Sequence, residues 1–197
     1  MTNAEQVPQA LSRRPKRADA RRNYETLISA ARDAFAEDGV SASLEDIARR
    51  AKVGIGTLYR HFPTRQDLFE SVYVEEVEAL CRTADDLADL PPWDALSRWL
   101  HRFVRYTATK RALAEALNRD SGIFHTCRTA IYAAGEPLLQ RAQQAGTARS
   151  DTNFDDVLRL LNGITMSHFV EPGQLDRVVN MALDGLRHQP PAAGAGA

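Results

Sequence analysis

A chain of 197 residues with 44% hydrophobic and 26% charged residues has globular proportions, which exclude a collagen-like repeat, disorder throughout and a disulfide-stapled miniprotein. The longest stretch without Asp, Glu, Lys or Arg, Leu160–Val170, holds 11 residues, too few for a helix to cross a bilayer, so no membrane partner is expected. The net charge of −1 hides an asymmetry: residues 1–66 carry 12 basic and 8 acidic side chains, residues 67–197 carry 13 and 18.

In chain order, residues 1–22 come first as a basic, flexible arm. Arg13, Arg14, Lys16, Arg17, Arg21 and Arg22 fall within ten positions and only Asp19 opposes them, the pattern of a segment that meets polyanions or of a solvated tail. No apolar block follows a basic start, and two cysteines stand 46 positions apart, so a cytoplasmic protein with free thiols is expected. From Asn23 the apolar spacing is helical. Tyr24, Leu27, Ile28, Ala31 and Phe35 form one stripe that Gly39 stops. A second, shorter stripe is Leu44, Ile47, Ala48 and Ala51. Ser43 precedes it as a cap, and Glu45 and Asp46 oppose the positive end of its dipole. Val53-Gly54 breaks this helix, a third runs over Ile55–His61, and Phe62-Pro63 ends it because the residue before proline is pushed out of the helical region.

Thr64-Arg65-Gln66-Asp67 reads as a capping box with Asp in place of Glu, opening a long helix with the stripe Phe69, Val72, Tyr73, Val77 and Leu80. Leu90-Pro91-Pro92 closes it. Further helices are expected over 93–110, 112–118, 123–144, 154–168 and 173–188, with breaks at Gly146 and Pro172-Gly173, and the tail from 189 to 197 is expected to be disordered. No strand pattern stands out. The expectation is an all-α protein of about nine helices.

Two short helices joined by a glycine-containing turn have the proportions of a helix-turn-helix, in which the second helix enters the major groove of DNA. On GIGTLYRHF, Leu58 and Phe62 share a face with Val53, which leaves Thr57, Tyr59, Arg60 and His61 to project elsewhere. Gly54 and Gly56 each cost a helix about 1 kcal/mol relative to alanine. Their presence points either to turn chemistry or to close approach of the backbone to a partner such as phosphate.

The stretch SLEDIARRAKVGIGTLYRHFPTRQDLF, with the preceding helix, resembles the DNA-binding domain of the TetR family of transcriptional regulators over residues 23–70. The resemblance implies a three-helix DNA-binding domain over 23–66 and a helical effector-binding and dimerisation domain over 67–188. It also implies that Thr57 meets base edges or phosphate, that Tyr59, His61 and Arg65 bond backbone phosphates, and that Ser43 offers another phosphate its hydroxyl. Ile55 stands where the family often carries lysine, and with Gly56 and Arg60 it completes the expected DNA-binding set. An apolar Ile55 suits a thymine methyl. So few groups at the groove floor give little readout per half-site, so a homodimer on a pseudo-palindromic site in double-stranded DNA is expected, with half-sites about one helical turn or a multiple apart.

The segment WLHRFVRYTATKRALAEAL resembles the C-terminal domain of an SbtR-like subgroup. By that implication the last two long helices pair with their copies through Phe154, Val157, Leu158 and Leu161, and through Leu175, Val178, Val179, Ala182 and Leu186. Packing inside the monomer explains the same stripes. For a small hydrophobic or aromatic effector the candidate lining is Trp99, Phe103, Tyr106, Phe124, Cys127, Ile131, Tyr132, Met166 and Phe169, with His125 and His168 as polar anchors, although many of these residues also suit a plain core.

No cofactor, metal site or catalytic apparatus is expected. HExxH, CxxC and a phosphate-cradling glycine loop are missing, His125 and Cys127 point about 200° apart on a helix, and Asp85-Asp86 and Asp155-Asp156 read as surface or cap charges. A DNA-binding activator and a helical adaptor that binds protein instead of DNA are the alternatives.

Overall fold

The computed structural model describes residues 14–113 and 122–187, and these are helical almost throughout. The helices are α1 (Ala18–Asp38), α2 (Leu44–Arg50), α3 (Ile55–His61), α4 (Arg65–Asp86), α5 (Pro92–Leu113), α6 (Gly122–Gln144), α7 (Phe154–Thr165) and α8 (Gln174–Leu186), with one 3₁₀ turn at Gly39–Ser41. Among the described residues that makes eight α-helices against about nine expected. The difference lies at 112–118, whose first two residues continue α5 and whose remainder lies outside the described residues. The expected tail at 189–197 and the arm before residue 14 also lie outside them.

Helix α1 starts at Ala18, ahead of the first apolar stripe residue, because its first turn, Ala-Asp-Ala-Arg-Arg, is helix-compatible without being amphipathic. Its end is where Gly39 places it: Gly39 takes φ +59°, a left-handed value that costs glycine nothing. The turn between α2 and α3 departs from expectation. Its left-handed residue is Lys52, at φ +57°, whereas Gly54 sits in ordinary extended backbone at the start of α3. The capping box that opens α4 is formed, with the Asp67 amide donating to the Thr64 hydroxyl at 3.1 Å and the Thr64 amide to the Asp67 carboxylate at 3.0 Å. A second box, Asn153 with Asp156, opens α7.

The described residues fall into two compact units. In the first, made of 14–79, 108–113 and 122–130, the core is Tyr24, Leu27, Ile28, Phe35, Ile47, Leu58, Phe62, Leu68 and Phe69. Phe35 lies against Phe69 with centroids 4.4 Å apart, and Tyr24 against Phe62 at 5.4 Å. Two buried carboxylates of α4, Glu75 and Glu76, are matched by arginines from the N-terminal side, Arg14 and Arg32. That matching is what allows charge so deep.

The second unit, 80–107 with 131–187, is built around Trp99 of α5. Its ring stacks on Phe103 at 5.9 Å and meets Phe154 of α7 at 5.8 Å, while its indole N–H donates to the Leu80 carbonyl at 3.2 Å. Gly135 of α6 faces the same rings. A Cβ there would come within 2.6 Å of Trp99 and closer still to Phe154, so only glycine fits. Helices α7 and α8 pack on each other, and Arg149 is held by Asp151 just ahead of α7.

Candidate nucleic-acid interface

The short helix α3 is positioned from one side only. Leu58 and Phe62 are fully buried, and Phe62 lies under the Tyr24 ring of α1. The rest of the helix faces outward: Gly56 and Arg60 are exposed, Thr57 is half-buried, and Ile55 and Tyr59 keep 37% and 46% of their surface in solvent. Exposing an isoleucine and a tyrosine on a seven-residue helix forgoes apolar burial, which leaves Leu58 as the helix's buried anchor. A Cβ added at Gly54 or Gly56 would meet open space, so nothing inside the chain demands glycine at either position.

Helix α2 braces α3 and brings its own N-terminus near. Ser43 is exposed, accepts the Asp46 amide at 3.3 Å and donates to the Glu45 carboxylate at 2.9 Å. Asp46 answers Arg49 and Arg50, and Arg50 also reaches Glu37 of α1 at 2.8 Å, so the α2 cations are largely neutralised. His61, half-buried at the end of α3, has its ring 6.2 Å from Tyr24 and 6.1 Å from Phe62. Burial there, helped by the neighbouring charge of Arg60, holds its imidazole below the ordinary value of 6.5.

Arg65 stands apart from the others. Its guanidinium is half-buried, donates to the carbonyl of Ala42 and sits over the Phe69 ring at 5.7 Å. That geometry leaves it little freedom to reach outward, but it pins the turn that carries Ser43. The structure thus leaves Ile55, Gly56, Tyr59 and Arg60 of α3 exposed, with Thr57 and His61 half-buried beside them, and gives Ser43 and Arg65 separate settings.

Of the nine expected effector contacts, Phe124 and Cys127 belong to the first unit and the other seven to the second. Trp99, Phe103, Tyr106, Cys127 and Ile131 are buried, and the Trp99, Phe103 and Tyr106 rings lie in a chain of mutual contact. Phe124 lies against Tyr73 at 5.0 Å, and the hydroxyl of Tyr132 is bonded to Asp155. Met166, at 72% exposed, faces solvent from the last turn after α7, Phe169 is half-exposed, and His125 and His168 are exposed. A recess of about 420 Å³ occurs elsewhere, between α7 and α8, floored by Val157, Leu161, Leu183 and Leu186 and rimmed by Arg149, Asp151 and Asp156. Arg149 holds the Asp151 carboxyl down at about 2.

The expected interface stripe divides in two. Phe154, Val157, Leu158, Leu161, Val179 and Leu186 are buried within their own unit, whereas Leu175, Val178 and Ala182 are only half-buried. The apolar side chains these helices leave open are Leu160 and Met181, 52% and 71% exposed, which sequence spacing alone assigns to no face.

Residues 27–72 match the profile described as bacterial regulatory proteins, tetR family, and residues 91–188 match that of the transcriptional regulator SbtR-like C-terminal domain. The crystal structure of the TetR transcriptional regulator SCO0520 from Streptomyces coelicolor is 38% identical, with a TM-score of 0.75 over 84% of this chain and 99% of that one. The HTH-type transcriptional regulator UidR of Escherichia coli strain K12 is 28% identical over 82% of this chain and 87% of its own length. The HTH-type transcriptional regulator SAR0097 of Staphylococcus aureus strain MRSA252 is 29% identical over 54% of this chain, and the match spans 58% of that protein.

Proposed function

Because the chain belongs to the TetR family of bacterial transcriptional regulators, DNA-binding proteins and not enzymes, we propose that it is a cytoplasmic repressor that binds a pseudo-palindromic operator as a homodimer and is released by a small hydrophobic or aromatic effector. The observation that carries the DNA-binding part is the open flank of α3, where Ile55, Gly56, Thr57, Tyr59 and Arg60 face outward while Leu58 and Phe62 hold the helix from behind. In this reading Ile55 and Thr57 meet base edges, Gly56 lets the backbone come close, and Tyr59, Arg60 and His61 bond phosphates, which fix register without reading sequence. Ser43 takes a further phosphate. Arg65 acts through its hold on Ala42, so it orients Ser43 instead of touching DNA itself.

The dimer is proposed to form through the outer face of α7 and α8. Leu160 on one helix and Met181 on the other are exposed, and half-buried Ile164, Val178 and Ala182 stand beside them at helical spacing. The recess between these helices lies in the same face and suits an apolar side chain of the second copy. The effector reading rests on the aromatic content of the central helices. Trp99, Phe103 and Tyr106 touch one another in this state, so a ligand among them acts by favouring a more open arrangement.

Selection of bound fragments from a random-sequence duplex pool tests the proposal. Two half-sites in inverted repeat, their centres about one turn or a multiple apart, are expected. A lone half-site refutes the dimeric mode. An activator is separated from a repressor by a reporter placed behind the selected site, and an adaptor by failure of any duplex to bind.

A further inference from the structure

The basic run ahead of α1 contains a short strap fixed at both ends. At one end Arg14 makes a two-pronged pair with Glu75 of α4, its Nε donating at 2.7 Å and its terminal nitrogen to the other oxygen, and lies 3.5 Å from Glu78. Glu75 is buried, and the Tyr24 hydroxyl joins the cluster through Ser71 and Glu75. Planar two-bond pairing of guanidinium and carboxylate fixes direction as well as distance. At the other end Ala18 is already helical. Between them lie Pro15, Lys16 and Arg17, with the proline locking one dihedral, so the strap has few conformations.

Lys16 and Arg17 are exposed, and neither is paired within the described residues. Arg21 and Arg22, in the first turn and a half of α1, are exposed too, and their partners Glu25 and Asp19 offer only solvent-facing pairs, which hold a cation weakly. From Arg17 to Tyr24 the helix rises by about 10 Å. Tyr24 lies against His61, at the end of α3. The strap and the recognition helix thus both attach to α1 and belong to the same compact unit.

We propose that Lys16 and Arg17 form a second phosphate-binding surface that extends the footprint of α3 along the DNA backbone, and that Glu75 is the positioning residue that holds the strap ready through Arg14. This rests on the reading of α3 as a recognition helix. A strap already ordered before DNA arrives loses little freedom on binding, which is the advantage of fixing it to a buried carboxylate.

The test uses the full chain, the duplex recovered by selection and a scrambled duplex of equal length, with Kd measured across a range of salt. Lys16→Gln with Arg17→Gln should weaken both duplexes and flatten the plot of log Kd against log salt by about 1.8, at about 0.9 for each phosphate no longer neutralised. The preference for the selected over the scrambled duplex should not change. Glu75→Gln should produce much of the same flattening with Lys16 and Arg17 intact, and Arg14→Gln, altered at the partly exposed end, gives the same comparison should Glu75→Gln lower the melting temperature. An unchanged slope in the Lys16/Arg17 variant overturns the phosphate surface and leaves the α3 reading standing. Full slope in both Glu75→Gln and Arg14→Gln overturns the positioning role. If the unaltered chain binds neither duplex, the recognition-helix reading falls and this inference with it.

Discussion

Helix α3 and the α7–α8 pair both present apolar residues at helical spacing, yet they resolve in opposite ways. In α3 Leu58 goes inside, with Phe62 just past the helix end, and Ile55, Gly56, Tyr59 and Arg60 are left open, so the outward set is defined largely by subtraction from those two anchors. In α7 and α8 the inside takes most of the stripe, and the open set is Leu160 and Met181, which lie off it. A seven-residue helix has room for one anchor face and one working face, whereas a longer one in a helical layer can bury one face and offer a second. Periodicity reports that an apolar face exists but not which neighbour covers it.

Four substitutions and a pH profile sharpen that contrast, beginning with the largest effect. Leu58→Ala removes the anchor of α3 and should cost about 2–5 kcal/mol of stability in chemical denaturation, together with DNA binding. If it leaves the protein as stable as before, α3 is not braced as described. In the other unit Gly135→Ala forces a methyl against Trp99 and Phe154 and should cost about 1–3 kcal/mol, while the fraction that stays folded keeps its DNA affinity.

On the open flank the effects move from stability to binding. Tyr59→Phe removes one exposed hydroxyl and should weaken all duplexes alike by about tenfold, about 1.4 kcal/mol, with an unchanged melting temperature. Sequence-dependent loss would move Tyr59 from phosphate to base. Gly56→Ala should do the reverse of the core changes, stabilising the chain by about 0.5–1 kcal/mol while weakening DNA binding, because the helix gains an alanine and the backbone loses its clearance. Tighter binding on top of the gain in stability would show that the glycine serves no partner.

The smallest expected effect is that of pH. The folded chain holds His61 below its ordinary 6.5, so the unfolded chain takes up the proton first. His61 is therefore neutral to stability above 6.5 and subtracts from it as the pH falls below that value. Phosphate contact favours the charged ring, so DNA affinity should rise over the same window. His61→Gln should remove both trends, measured by melting temperature and by Kd at matched ionic strength.

The helix-turn-helix is legible in the sequence because its signals are local: Ser43 caps, Phe62-Pro63 ends, and Thr64 with Asp67 starts again within a few residues. Other features depend on partners far along the chain and leave no local trace. Arg14 and Glu75 are 61 positions apart, and nothing in a basic run marks which arginine will pair with a buried carboxylate. The use of Arg65 on Ala42 is of the same kind, since a cation that can reach phosphate can equally reach a carbonyl. The left-handed turn residue escapes a reading of the sequence because Gly54 is the obvious candidate, whereas Lys52 bears the steric cost instead. The aromatic residues of the central helices carry no signal that separates a ligand's lining from a packed core, and here Trp99, Phe103 and Tyr106 pack on one another.

The contact of Gly135 with Trp99 and Phe154 also constrains how this protein can diverge. A larger residue at 135 is tolerable only after one of the two rings has shrunk, and a smaller ring at 99 or 154 leaves a hole that a methyl at 135 would partly fill. The three positions are therefore expected to drift as a set among descendants of this chain, with each single step less fit than either endpoint.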